Sequence, residues 1–254
     1  MEDRLKGKVI VVAGAGGIGD ELARRYSGEG AAVVLADIDG DRAIATAEAI
    51  AATGATCIGT RVDGADDASI KALVGLAVDR FGGLDGFHAN YAGFHEDDSL
   101  HDVTTIPMEA FDEVMAITSR GFVLCTRHAI PEMVKRGGGS IIYTASDAAF
   151  TGETVRIAYA MGKLSLHALA RHVAKAFGSK GIRANVISPG VISHPRFEAT
   201  MPVELVKEFT SRKPVGRLGR PADIAAMGAL MMSDEGSFIT GQVMSVNGGM
   251  VMRS

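Results

Sequence analysis

Ser146, Tyr159 and Lys163 combine residue types and spacing that could do proton chemistry. Tyr159 and Lys163 are four apart in a helical pattern, so their side chains share one face about a turn from each other. Ser146 sits where the apolar run Ser140 to Ala145 gives out, and that run, rich in β-branched and aromatic residues, reads as a buried strand. Small residues and Gly152 make the connection to the helix. A phenol exchanges protons poorly near neutral pH, because its pKa lies near about 10. A lysine ammonium close by favours the phenolate and lowers that value. The tyrosine can then give a proton to a carbonyl oxygen or take one from an alcohol. A serine hydroxyl opposite would hold the same oxygen and stabilise its developing charge. A Tyr-x-x-x-Lys pair also arises by chance, so its context has to decide.

A second constellation supplies that context. Gly14-Ala15-Gly16-Gly17-Ile18-Gly19 fits G-x-G-x-x-G, after an apolar run and at the opening of a helical pattern. Glycines let the backbone turn tightly and approach a pyrophosphate, whose charge is favoured at a helix N-terminus. Asp37, 18 residues beyond Gly19, ends the second apolar run and is placed to accept hydrogen bonds from an adenosine ribose. The alternative for Asp37 is an ordinary helix-capping aspartate. A carboxylate there would repel a 2′-phosphate. Ile38 stands where an arginine could welcome one, and the glycine loop has no basic residue. NAD is therefore the expected cofactor, in preference to NADP.

The elements that must position these residues alternate. Strands are expected at Lys8 to Ala13, Ala31 to Ala36, 55–62, 84–90, Ser140 to Ala145, Ile182 to Ser188 and 242–246. Helices are expected from Gly17 to Gly28, near 40–53, near 66–81, after Gly152, and near 221–233. The pattern at 107–136 reads as one long helix with Pro107 in its first turn. Unbroken apolar runs such as KVIVVA suit strands covered on both faces. The expected fold is α/β, a doubly wound parallel sheet with helices on both sides, in one domain over 1–254. Only Val191 to Val215 breaks the rhythm, with no strand and several apolar residues; it is either a lid over the ligand crevice or a surface helical pair.

Composition narrows the partners. The 254 residues carry a formal net charge of −4 and show no basic stripe for nucleic acid or anionic lipid. Cys57 and Cys125 have no metal-ligand spacing, read as small packed apolar groups, and suggest no oxidising compartment. No metal site is expected. The charged first residues hold no apolar signal core, and no window reaches 18 consecutive apolar residues. A cytoplasmic location is the resulting expectation.

With the glycine loop, Asp37, Ser146, Tyr159 and Lys163 together, the chain resembles the short-chain dehydrogenase/reductase (SDR) family over essentially its whole length. Asp63 matches the family's adenine-contacting aspartate, with Gly64 beside it. Asn90-Tyr91-Ala92-Gly93 resembles the Asn-Asn-Ala-Gly motif after the fourth strand. Ser146 and Tyr159 are 13 apart, as is usual in the family. Ile182-Arg183-Ala184-Asn185 and Pro189-Gly190, with Ile192 beyond, resemble the sixth strand and the loop that contacts the nicotinamide. Gly216 to Pro221 and Ile239 to Gly249 resemble the C-terminal signatures. The resemblance implies the strand order 3-2-1-4-5-6-7 and frequent homotetramers.

The departures are specific. Ala13 replaces the threonine before the family's glycine loop, which is one residue shorter here. Tyr91 replaces the second asparagine of its motif, and His194 stands where a threonine is common. Thr118 occupies the place of the family's catalytic asparagine, whose relay contact is made largely through its backbone carbonyl.

The resemblance implies an oxidoreductase acting on a secondary alcohol or ketone, with Tyr159 as acid or base. Ser146 would hold the substrate oxygen. Lys163 would lower the tyrosine pKa and contact the nicotinamide ribose. Two other readings stay open, an NAD-binding scaffold impaired at Thr118 and a lyase or epimerase on the same fold. Phe94, Phe150, Val191 and the apolar 197–209 stretch would suit a hydrophobic, cyclic or aromatic alcohol, or else serve as core or subunit contacts. The stretch from His95 to Asp98 reads as an exposed polar loop, and His167 and His172 as ordinary helix residues.

Overall fold

The structure, a computed structural model, describes residues 3–252; the two residues at each end of the expected 1–254 domain lie outside the described residues. Strand β1 (Val9–Ala13) leads through the glycine loop into α1 (Gly17–Gly28), then β2 (Ala32–Asp37), α2 (Gly40–Ala51), β3 (Cys57–Arg61) and α3 (Asp67–Phe81). After β4 (Gly86–Ala89) come a short α4 (Glu96–Leu100), α5 (Met108–Met115) and α6 (Gly121–Lys135). Then follow β5 (Gly139–Thr144), a single-turn α7 (Ala148–Thr151), α8 (Ile157–Phe177) and β6 (Ile182–Pro189). The chain continues with α9 (Pro195–Thr200), α10 (Val203–Ser211), α11 (Pro221–Met232) and β7 (Val243–Val246).

All seven strands run parallel in one sheet, in the order β3-β2-β1-β4-β5-β6-β7. The unbroken apolar runs have the cause expected of them. Successive strand side chains point to opposite faces. Val9, Val11 and Ala13 therefore pack on one side with Phe87, Phe122 and Leu166, while Ile10 and Val12 pack on the other with Leu22, Ile142 and Ile224. Helices α3, α6 and α8 cover the first face, and α1, α2 and α11 the second. Register is set by pairs such as Val11 with Val34 and Val11 with Phe87.

Two expectations need correction. The stretch 107–136 is not one uniform helix: a π turn at Ala116–Arg120 separates α5 from α6, and Pro107 sits just outside as the cap. The polar stretch from His95 is not simply an exposed loop, because it forms α4 and buries Asp98 to 3 % exposure. Between Val191 and Val215 lie α9 and α10, joined to the rest by an isolated bridge from Ile192 to Gly219.

Candidate functional site

Strand β1 lies between β2 and β4, so the connections on its two sides leave in opposite directions and open a crevice at the strands' carboxyl ends. A cavity of about 1870 Å³ occupies it. Most of the residues singled out from the sequence meet there: Gly14, Gly16, Gly17, Ile18, Asp37, Ile38, Asp63, Gly64, Asn90 and Ala92 at one side, Ser146, Tyr159, Lys163, Pro189, Gly190 and Ile192 at the other. Gly19 and Thr118 do not line it.

The glycine loop is shaped by contacts that leave no room for side chains. Gly14 has φ 104°, and a Cβ there would fall 2.6 Å from the backbone nitrogen of Tyr91. At Gly19 a Cβ would lie 1.9 Å from the Gly14 carbonyl oxygen, so this glycine closes the loop from behind. Asn90 braces the same turn, its Nδ2 donating to the Gly14 carbonyl at 2.9 Å, while its buried Oδ1 has no partner among the described residues. Gly16 N–H donates to the Asp20 carboxylate at 2.9 Å.

Asp37 is not the cap of α2; Asp39 is, accepting from Arg42 N at 3.1 Å. The Asp37 carboxylate accepts from Ala15 N (2.8 Å) and Asp39 N (3.0 Å) and pairs with the Arg42 guanidinium at 2.9 Å. Arg42 was not visible as a site residue in the sequence. It stands in the first turn of α2, reaches back over Gly16, and places a cation at the cavity rim. Asp63 lies at the β3 end, its Oδ1 accepting from Ala65 N and its N–H donating to Ser69. Tyr91 turns its ring inward, 4.8 Å from Phe122 and beneath Gly64, with its hydroxyl bonded to Cys125 Sγ. His194 caps α9 and packs against Gly17.

At the other side, Ser146 leaves β5 with its Oγ accepting from Ala148 N at 3.2 Å. Tyr159 lies between the exposed ring of Phe94 (centroids 5.4 Å apart) and the guanidinium of Arg156, 4.4 Å from its ring centroid. Burial raises the Tyr159 pKa, and hydrogen bonding with Ser146 together with the Arg156 charge pulls it back. Lys163 is buried, its Nζ 5.8 Å from the Tyr159 ring centroid and donating to the carbonyls of Thr144 (2.7 Å) and Tyr91 (3.1 Å). Burial lowers its pKa to about 7. The Ser146 hydroxyl and the Arg156 guanidinium thus join Lys163 around the phenol.

Thr118 sits in the π turn, fully buried, its Oγ1 accepting from Gly93 N at 2.8 Å and its methyl packed against Gly162 of α8. Beneath the site, His88 bridges Tyr26 (2.7 Å) and the Thr144 hydroxyl (2.9 Å). Burial holds the His88 pKa down at about 3, so the ring stays neutral and serves as one donor and one acceptor. Of the apolar candidates, Phe94, Val191, Phe197, Met201 and Phe209 line the cavity; Phe150 does not, and stacks instead on His167.

The donor set suits a dinucleotide. A glycine-rich loop opens α1, whose N-terminus favours anionic phosphate. A carboxylate ends β2, and the cavity is large enough for a small molecule beside the cofactor. Among the described residues no group of three or more His, Cys, Asp or Glu could hold a metal, and no helix is long and apolar enough to cross a membrane.

A family model described as enoyl-(acyl carrier protein) reductase matches residues 12–251. A probable short-chain type dehydrogenase/reductase of Bradyrhizobium diazoefficiens is 37 % identical over 98 % of this chain and 89 % of its own. The chain belongs to the short-chain dehydrogenase/reductase family. Two further SDR relatives carry more specific names. The 2,5-dichloro-2,5-cyclohexadiene-1,4-diol dehydrogenase of Sphingobium indicum is 33 % identical, and the cis-4-hydroxycyclohexanecarboxylate dehydrogenase of Sinomonas cyclohexanicum 34 %, each over 98 % of both chains. As an SDR, the chain is an oxidoreductase of a family that uses nicotinamide cofactors.

Proposed function

We propose that this SDR transfers hydride between NAD and a secondary alcohol or ketone, with Tyr159 as the acid–base residue. The observation that carries the reading is the meeting of Ser146, Tyr159 and Lys163 with the glycine loop and Asp37 around one cavity. NAD, when bound, supplies the hydride acceptor. Asp37 and Asp63 hold the adenosine, and Gly14, Gly16, Gly17 and Ile18 lie along the pyrophosphate. Pro189, Gly190 and Ile192 face the nicotinamide end. Ser146 Oγ donates to the substrate oxygen and fixes it against Tyr159. Tyr159 takes the alcohol proton during oxidation and returns it during reduction. Lys163 stabilises the phenolate and reaches the nicotinamide ribose. NAD use favours oxidation as the working direction.

Thr118 is the basis of the competing reading, an NAD-binding scaffold that does not turn over. Its hydroxyl holds the Gly93 backbone, however, and it sits in a π turn closed by the Gly121 N–H bond to the Ala116 carbonyl. A relay contact made through a backbone carbonyl, as the family resemblance implies, would survive the change from asparagine to threonine. A ring-shaped, hydrophobic alcohol is the substrate class favoured by Phe94, Phe197, Met201 and Phe209. The names of the two cyclohexane- and cyclohexadiene-acting relatives support the same class. Helices α9 and α10 would close over it as a lid. A single domain, a cytoplasmic location and, on family resemblance, a homotetramer complete the proposal.

The test pairs calorimetry of NAD and NADP with NADH formation on a panel of cyclic secondary alcohols, for wild type and Tyr159→Phe. NAD should bind more tightly than NADP to both proteins. Turnover should fall about 100-fold or more in the variant, the usual worth of a positioned acid–base group. Tight NAD binding with no turnover of any alcohol or ketone by wild type would move the assignment to the scaffold.

A further inference from the structure

Tyr159 faces two cations, and the one the family motif does not contain is the nearer. Arg156 lies three residues before Tyr159, immediately outside α8, and its guanidinium stands 4.4 Å from the phenol ring centroid against 5.8 Å for Lys163 Nζ. Arg156 lines the same cavity. Its backbone is in the left-handed region, φ 65°, one of two non-glycine positive φ values among the described residues. A residue with a Cβ does not adopt that conformation freely. Here it is held: Arg156 N–H donates to the Asp98 carbonyl, and the Asp98 carboxylate accepts from Ala158 N (3.0 Å) and Tyr159 N (3.1 Å). One buried aspartate therefore fixes both the tyrosine and the arginine above it.

We propose that Arg156 is a second, pH-independent cation on Tyr159 that shares with Lys163 the task of stabilising the phenolate. The two cations differ in kind. A guanidinium stays charged through the working pH range. Buried Lys163 loses much of its charge near pH 7 and spends two of its hydrogens on the Thr144 and Tyr91 carbonyls. The other charged groups about the phenol are few. Glu153, on the loop before α8, opposes the phenolate. Asp98, on α4, is engaged with the backbone of α8, and Asp147 beside Ser146 is buried at the end of β5. After the Ser146 hydrogen bond, Arg156 is the group that draws the Tyr159 pKa back against burial and the Glu153 charge. It is a positioning residue, acting through Tyr159. The inference rests on the acid–base role proposed for that tyrosine, but its test needs no substrate.

The chain has four tyrosines, all raised by burial; Tyr26, Tyr91 and Tyr143 stand furthest above the ordinary phenol value, while Tyr159 has both the Ser146 hydrogen bond and the Arg156 charge to draw it back. An ultraviolet phenolate titration of the cofactor-free protein should therefore show Tyr159 ionising first. That first step should vanish in Tyr159→Phe. In Arg156→Gln it should move up by about one pH unit, the shift expected from removing an opposite charge within a few ångströms. Arg156→Gly removes the charge yet accepts the left-handed backbone, so it should reproduce the Arg156→Gln shift. Arg156→Lys should stay close to wild type. An unmoved first step in both Arg156→Gln and Arg156→Gly overturns the proposal, as does a first step that survives in Tyr159→Phe. A shifted titration in a protein that oxidises no alcohol would leave this inference standing while the proposed activity failed.

Discussion

At the scale of the residue, the Asp37–Arg42 pair decides how the adenosine end of the cavity is charged. The carboxylate is held by two backbone N–H groups and neutralises a guanidinium 2.9 Å away. A 2′-phosphate would meet Asp37 as a like charge and find Arg42 already engaged. Replacing Asp37 with alanine removes the repulsion and frees Arg42, which as a planar fork suits a phosphate. In Asp37→Ala, calorimetry should show NAD affinity down about tenfold or more, the worth of hydrogen bonds to a charged group. NADP affinity should rise, and an unchanged NAD-to-NADP ratio would remove Asp37 from the ribose site. Asp37 could be read from the sequence because it ends an apolar run at a fixed distance from the glycines. Arg42 and Arg156 could not. One reaches its place through a side chain folding back across a helix start, and the other through a left-handed backbone that residue type does not signal.

At the scale of the element, α8 is the part that most needs holding. It carries Tyr159 and Lys163, and its own N-cap residue, Arg156, makes no side-chain cap. Asp98 supplies the cap from α4, some sixty residues earlier, by accepting from the second and third N–H groups of the helix. A buried carboxylate there also complements the positive end of the helix dipole. Asp98→Ala leaves those N–H groups without a partner, so urea unfolding should show a loss of about 2 kcal/mol. Asp98→Asn, which keeps one acceptor, should lose less than Asp98→Ala; equal losses would mean that the carboxyl oxygens do not act as the cap. Sequence reading took Asp98 as part of a polar loop because a cap supplied from another element leaves no local S/T-x-x-E pattern to find. The same limit hid the π turn. Periodicity runs through 107–136 without a break, and even Pro131 lies inside α6. The extra residue of the turn shows only in the ladder, where Gly121 N–H bonds to the Ala116 carbonyl.

At the scale of the whole molecule, the sheet was largely legible because each strand is a short apolar run between helical stretches and alternates its side chains between two cores. The strand order came from the family resemblance, since periodicity cannot choose among neighbours. What neither could supply is the state of Lys163, which depends on everything packed around it. In the folded protein burial lowers its pKa to about 7, whereas an unfolded lysine titrates near about 10.4. Below pH 7 both states hold the proton and the cost of burying the charge is fully present. Between about pH 7 and 10 the folded protein has released it and the unfolded chain still binds it, so stability rises with pH by at most about 1.4 kcal/mol per unit. Cys57 and Cys125 work in the opposite direction, because burial lifts both thiols to about 12 while an unfolded thiol ionises near about 8.5. Wild type alone can therefore show a flat profile. The comparison with Lys163→Met cancels the cysteines and isolates the lysine. From pH 7.5 to 9, urea unfolding of the cofactor-free proteins should show wild type gaining roughly 1–2 kcal/mol relative to Lys163→Met. A difference that stays constant across that range would mean Lys163 keeps its charge when buried, and the phenolate would then have a full ammonium beside it as well as Arg156.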